Sequence, residues 1–126
     1  MPALNRILMV DDDADIRTIA HLSLTAVGGF TVELCGSGPE AIQKAASFNP
    51  DLILLDVMMP GMDGPTTLKE LRGSPALAQT PVVFMTAKVQ PQEIAQLLAC
   101  GAMDVLAKPF DPMVLPDTLN RIWAAH

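Results

Sequence analysis

Five short runs dominated by apolar residues recur along the chain, at positions 6–10, 30–35, 52–57, 81–85 and 103–107. They are rich in Val, Ile, Leu and Met and show little polar alternation, the pattern of strands buried on both faces. Between them, apolar residues recur at helical spacing. In the first helix Ile16, Ile19, Ala20, Ser23 and Val27 fall on one inward face, and Gly28-Gly29 provides a stop. Ser37 stands three residues before Glu40, a capping-box spacing, with Ala41, Ile42, Ala45 and Ala46 behind it in the second helix. The third is expected over about 65–72 and the fourth over about 91–100, with Gly101 beyond its end. Asp111 and Pro112 suit the cap and first turn of a fifth helix, whereas Pro116 predicts a kink or a delayed start. Strands alternating with helices imply a parallel sheet covered on both faces.

At 126 residues the chain suits a single domain, taken as 1–126. Half of the residues are hydrophobic but only 4% are aromatic, so the core must be aliphatic, with the eight Met residues as filler. A net charge of −6 argues against nucleic acid and against anionic membrane surfaces, both of which need a basic face. Cys35 and Cys100 lie far apart, without metal-ligand or redox spacing, and read as two buried thiols. With no apolar stretch of membrane-spanning length and no signal-peptide pattern at the start, a cytoplasmic protein is expected.

The acids are concentrated. Six of the fourteen are Asp11, Asp12, Asp13, Asp15, Asp56 and Asp63. Asp56 is the sharpest anomaly, since it ends the run Leu52–Leu55 and a lone carboxylate is costly to bury. In an open parallel sheet, ligands bind beyond the carboxyl ends of the strands, where successive connections run to opposite faces. With strand order 2-1-3-4-5, the acids after the first and third strands share one crevice. Carboxylates about 4 Å apart repel by ~4 kcal/mol per ionised pair at an effective dielectric of 20, so something must neutralise them, which a divalent cation does directly. Hard oxygen ligands favour Mg²⁺, with Mn²⁺ as a substitute.

The fragments ILMVDDD, DLILLDVMMPGMDG, VVFMTA and LAKPF, in this order, resemble the receiver domain of two-component response regulators over the whole chain. The resemblance implies a flavodoxin-like (βα)5 three-layer sandwich with sheet order 2-1-3-4-5. It implies that Asp56 accepts a phosphoryl group from a phosphohistidine on a sensor histidine kinase or phosphotransfer protein. Asp11, Asp12, Asp56 and the backbone carbonyl of Met58 would hold Mg²⁺, with Asp12 as direct ligand and Asp11 acting largely through water. Thr86 would be the switch hydroxyl, and Thr86, Ala87 and Lys108 the phosphoryl-binding set. The Lys108-Pro109 bond is expected to be cis, and Met58 and Lys88 to tune hydrolysis of the acyl phosphate. The domain would be a switch rather than an enzyme. Its downstream partner would meet the fourth helix, fifth strand and fifth helix, from about Lys88 through Trp123, on a monomer or weak homodimer. One position departs from the family: Val105 stands where receivers commonly carry Tyr or Phe.

Each feature alone has a plainer reading. Acids after a strand commonly cap a helix, Thr86 suits a strand end, and Lys108 a surface charge. Two other functions remain open. A Mg²⁺-dependent phosphohydrolase of the haloacid-dehalogenase type would place its nucleophile in the Asp11–Asp13 run, although the chain is small and lacks a cap. A receiver-fold docking module would bind a partner without phosphorylation, a reading that Val105 keeps in play.

Overall fold

The structure, a computed structural model, describes residues 2–126. Five parallel strands, β1 (Arg6–Val10), β2 (Thr31–Cys35), β3 (Leu52–Asp56), β4 (Val82–Thr86) and β5 (Asp104–Ala107), form one sheet of order β2-β1-β3-β4-β5. Five helices connect and follow them: α1 (Ala14–Leu22), α2 (Gly38–Phe48), α3 (Gly64–Arg72), α4 (Pro91–Ala99) and α5 (Leu115–Ala125). The expected fold class, strand order and element count are all present. No helix among the described residues is long and apolar enough to cross a membrane.

Every residue of β3 and β4 is buried, which explains their lack of polar alternation. Successive side chains point to opposite faces and divide the core in two. Leu8, Val10, Ile53, Leu55, Val82 and Phe84 pack with residues of α2, α3 and α4. Ile7, Met9, Leu52, Leu54, Val83 and Met85 pack on the other face with residues of α1 and α5.

Local chemistry sets the helix ends. Asp13 Oδ1 accepts from the amides of Asp15 and Ile16 and caps α1. Ser37 Oγ accepts from Glu40 N, but Glu40 Oε1 reaches back to Gly36 N at 2.6 Å, one residue beyond the usual capping-box partner. Asn49 closes α2 in the left-handed conformation at φ 55°.

Several expectations need correction. The first helix does not run evenly to Gly28, because Ser23–Val27 form a π-helical turn. The wider turn shifts the residues that follow, so Leu24 is fully buried while Val27 is exposed; Ile19 also faces solvent. Ala46 lies on the exposed side of α2. Asp111 does not cap α5: its carboxylate accepts from Met113 N within a turn, and the helix begins at Leu115. Pro116 thus falls in the first turn, where no ladder bond is lost, and is buried. Met58 and Met113 are exposed because they sit in loops beyond the sheet, so methionine is not uniformly core filler. Cys100 is exposed at the end of α4, and only Cys35 is a buried thiol.

Burial, with Glu40 nearby, pushes the Cys35 thiol up to about 12. The folded state therefore holds this proton more tightly than the unfolded chain does. That contribution is complete below the ordinary thiol range and is lost as pH rises from about 9 toward about 12. A disulfide-exchange reagent at pH 8 is expected to titrate one fast thiol, Cys100, with the second reacting only on unfolding. Alkaline denaturation is expected to begin at higher pH in Cys35→Ala than in a Cys100→Ala control.

Candidate functional site

Register brings the distant acids and the lysine to one edge of the sheet. Val10 pairs with Leu55, Asp56 with Met85, and Thr86 with Ala107. Asp11 therefore emerges beside Asp56, and Lys108 follows β5 beside Thr86. Backbone bonds continue past the strand ends, from Asp11 N to Cys35 O at 3.1 Å, Val57 N to Met85 O at 3.0 Å and Lys108 N to Thr86 O at 2.9 Å. The chain passes from β1 outward to β2 and returns to β3 on the other side of β1, so Asp11 and Asp56 flank a topological switch point.

Lys108 Nζ donates to Asp11 Oδ2 at 3.1 Å and to Asp56 Oδ1 at 3.2 Å. Asp11 is fully buried, Asp56 is 2% exposed, and Asp12 is exposed. Burial and then the neighbouring charge of Asp11 push the Asp56 carboxyl up to about 6, against the opposing pull of Lys108. Burial lowers Lys108, but its hydrogen bonds and charge interactions with Asp11 and Asp56 outweigh that and hold the ammonium above its usual range. One ammonium thus does not fully offset the acids around it.

Asp11, Asp12 and Asp56 each offer a carboxylate oxygen, all within 4.8 Å of one another. An all-oxygen set with excess negative charge fits a hard divalent cation and suits neither zinc nor a soft metal. Thr86 is buried at the end of β4, where its hydroxyl accepts from Lys88 N at 3.0 Å. Ala87, Lys88 and Met58 are exposed around it. Asp13, by contrast, only caps α1. The Lys108-Pro109 bond is cis. Val105 is half-buried and packs against the core cluster beneath α2, α3 and α4.

Three supporting features escaped the sequence reading. Arg17 Nη1 donates to the carbonyl of Asp11 at 2.8 Å, pinning the backbone from which the acids project. Its signal was faint, a cation one turn into the helix after the acid run. Gly64 has no room for a side chain, since a Cβ there would lie 2.5 Å from the carbonyl oxygen of Asp56. Its amide donates to Val57 O at 2.9 Å and closes the loop that follows Asp56. Glu93 and Gln96 of α4 share a cavity of about 260 Å³ with Thr86, Lys88 and Met58. No local sequence pattern links α4 to that spot.

The response regulator receiver domain family matches residues 7–120. Regulatory protein AtoC of Escherichia coli is 40% identical over 122 residues, 97% of this chain and 25% of AtoC. Response regulator PleD of Caulobacter vibrioides is 44% identical over 111 residues, 87% of this chain and 24% of PleD. The chain therefore spans about a quarter of the length of these curated relatives. Among solved structures, chemotaxis protein CheY4 of Vibrio cholerae superposes with a TM-score of 0.87 at 35% identity, covering 95% of this chain and 99% of that one.

Because burial and Asp11 both oppose the charge on Asp56, Asp56→Asn is expected to stabilise the protein at neutral pH when divalent ions are chelated. The gain is of order 1–3 kcal/mol, read as a higher urea midpoint with an unchanged slope.

Proposed function

The chain belongs to the response regulator receiver domain family, and from that premise we propose that residues 1–126 form one receiver domain in which Asp56 is the phosphoacceptor of a two-component relay. The observation that carries this reading is the ammonium of Lys108 bridging Asp11 and Asp56 at 3.1 and 3.2 Å. It supplies a cation at the place where a phosphoryl group on Asp56 would bring further negative charge.

Lys108 engages Asp56 Oδ1, and Oδ2 enters no hydrogen bond among the described residues. Oδ2 attacks the phosphorus of a phosphohistidine on a sensor kinase or phosphotransfer protein. An O–P bond forms, the P–N bond breaks, and the imidazole leaves with the bonding pair. A carboxylate is a weak nucleophile toward a phosphoryl anion, so positioning and charge screening carry the step. Lys108 pairs with the arriving phosphoryl oxygens, the Thr86 hydroxyl donates to one of them, and the amide of Ala87 lies next in the chain for another. Asp11, Asp12, Asp56 and the Met58 carbonyl are the groups that would hold Mg²⁺, or Mn²⁺ in its place, with Arg17 steadying the Asp11 backbone. When bound, the ion supplies a second positive charge to neutralise the phosphoryl oxygens.

The acyl phosphate adds charge and acceptor oxygens that favour an arrangement with Thr86 drawn inward. Output then passes to a downstream protein through α4, β5 and α5, the region that adjoins both Thr86 and Lys108. Protein partners rather than nucleic acid or membrane suit the acidic net charge of −6. On this reading the chain is a cytoplasmic signalling switch rather than an enzyme with a turnover substrate, a role that membership of the family supports. The pairing of Asp11 with Lys108 and the use of Asp13 as the α1 cap favour this reading over the phosphohydrolase alternative, whose nucleophile would lie in the Asp11–Asp13 run.

Incubation with acetyl phosphate and Mg²⁺, followed by intact mass, is expected to add one phosphoryl group. The addition is expected to vanish in Asp56→Asn and on chelation. Loading that survives Asp56→Asn would move the acceptor elsewhere. Partner binding that ignores loading altogether would favour the docking module.

A further inference from the structure

Among the described residues, Glu93 Oε2 is the only buried side-chain oxygen or nitrogen with no hydrogen-bond partner. Glu93 sits in the first turn of α4, where a carboxylate commonly turns back to cap free amides. Here it lines the 260 Å³ cavity beside the site, with Val57, Met58, Thr86, Lys88 and Gln96. A carboxylate oxygen withdrawn from water without a partner costs free energy until a donor reaches it.

Lys88 is the one cation lining that cavity, and it forms no ion pair among the described residues. It lies five residues before Glu93, in the exposed segment Ala87 to Gln90. Its backbone is tied to the site, since Lys88 N donates to Thr86 Oγ1 at 3.0 Å. Any inward movement of the Thr86 hydroxyl therefore pulls on the amide of Lys88. An exposed loop can follow that pull at little cost in packing.

We propose that Lys88 and Glu93 close into an ion pair across this cavity when Asp56 is phosphorylated, with Thr86 as the link. This charge latch on the first turn of α4 serves where Val105 provides no aromatic ring. The inference rests on the acceptor reading above. It gives the loaded state a contact absent from the unloaded one, which a shift of equilibrium requires.

The test uses the full chain, beryllofluoride with Mg²⁺ as the phosphoryl mimic, and ¹⁹F NMR to count bound mimic. The variants are Lys88→Met, Glu93→Gln and the double. The latch predicts that each single substitution weakens mimic binding about threefold, the size of a partly exposed ion pair. The double variant should also lose about threefold, not ninefold, because both substitutions remove one interaction. The sign at Glu93 is decisive. If it acted only through its field, removing an acid near the bound anion would tighten binding. Unchanged or tighter binding in Glu93→Gln overturns the proposal, as does a ninefold loss in the double. Melting of the unloaded variants is expected to match wild type; a comparable loss there makes Glu93 structural and also overturns it. No bound mimic in wild type is a different result, which overturns the acceptor reading itself.

Discussion

One ammonium group between two buried carboxylates organises this molecule's functional edge. Asp11 and Asp56 are both almost wholly out of water, and Lys108 reaches each within 3.2 Å. Without it, two like charges would face each other in a medium that screens poorly, at a cost of several kcal/mol. With it the Asp56 carboxyl still stands above its ordinary range, first because it is buried and then because Asp11 is close. Three carboxylates, from Asp11, Asp12 and Asp56, with one ammonium among them leave room for a further cation.

The surrounding sheet holds these groups in place. Five parallel strands separate two apolar core layers, and Asp11, Asp56, Thr86 and Lys108 lie together at the carboxyl end of the sheet. Backbone ladders hold the strand ends in register to the last residue, so Asp11, Asp56, Thr86 and Lys108 are placed by main-chain hydrogen bonds rather than by side-chain packing. The loops that follow carry Met58, Ala87 and Lys88, all exposed.

Much of this was legible in the residues. Buried parallel strands announce themselves as short apolar runs, and the acids and lysine that end those runs mark the site because strand ends are where an α/β sheet exposes chemistry. The positions that escaped share a cause. Whether Ile19 and Val27 face inward depends on the pitch of the turn at Ser23–Val27, and a π turn is a compromise with packing against α5 and β2 rather than a propensity of SLTAV. Pro116 forbade a helix through it but allowed either a kink or a later start; the later start leaves it buried at the beginning of α5, free of any ladder bond to lose.

The sequence by itself determined the class of fold, the strand order once the family resemblance was recognised, and the identity of the charged residues, because periodicity and strand-end chemistry are local and survive without coordinates. Only the tertiary structure decided which oxygen of Asp56 is engaged, that Arg17 braces Asp11, that Gly64 must lack a side chain, and that Glu93 and Lys88 line one cavity. Each of these is a matter of placement, set by how strands, loops and helices pack in three dimensions, which residue identity alone does not encode.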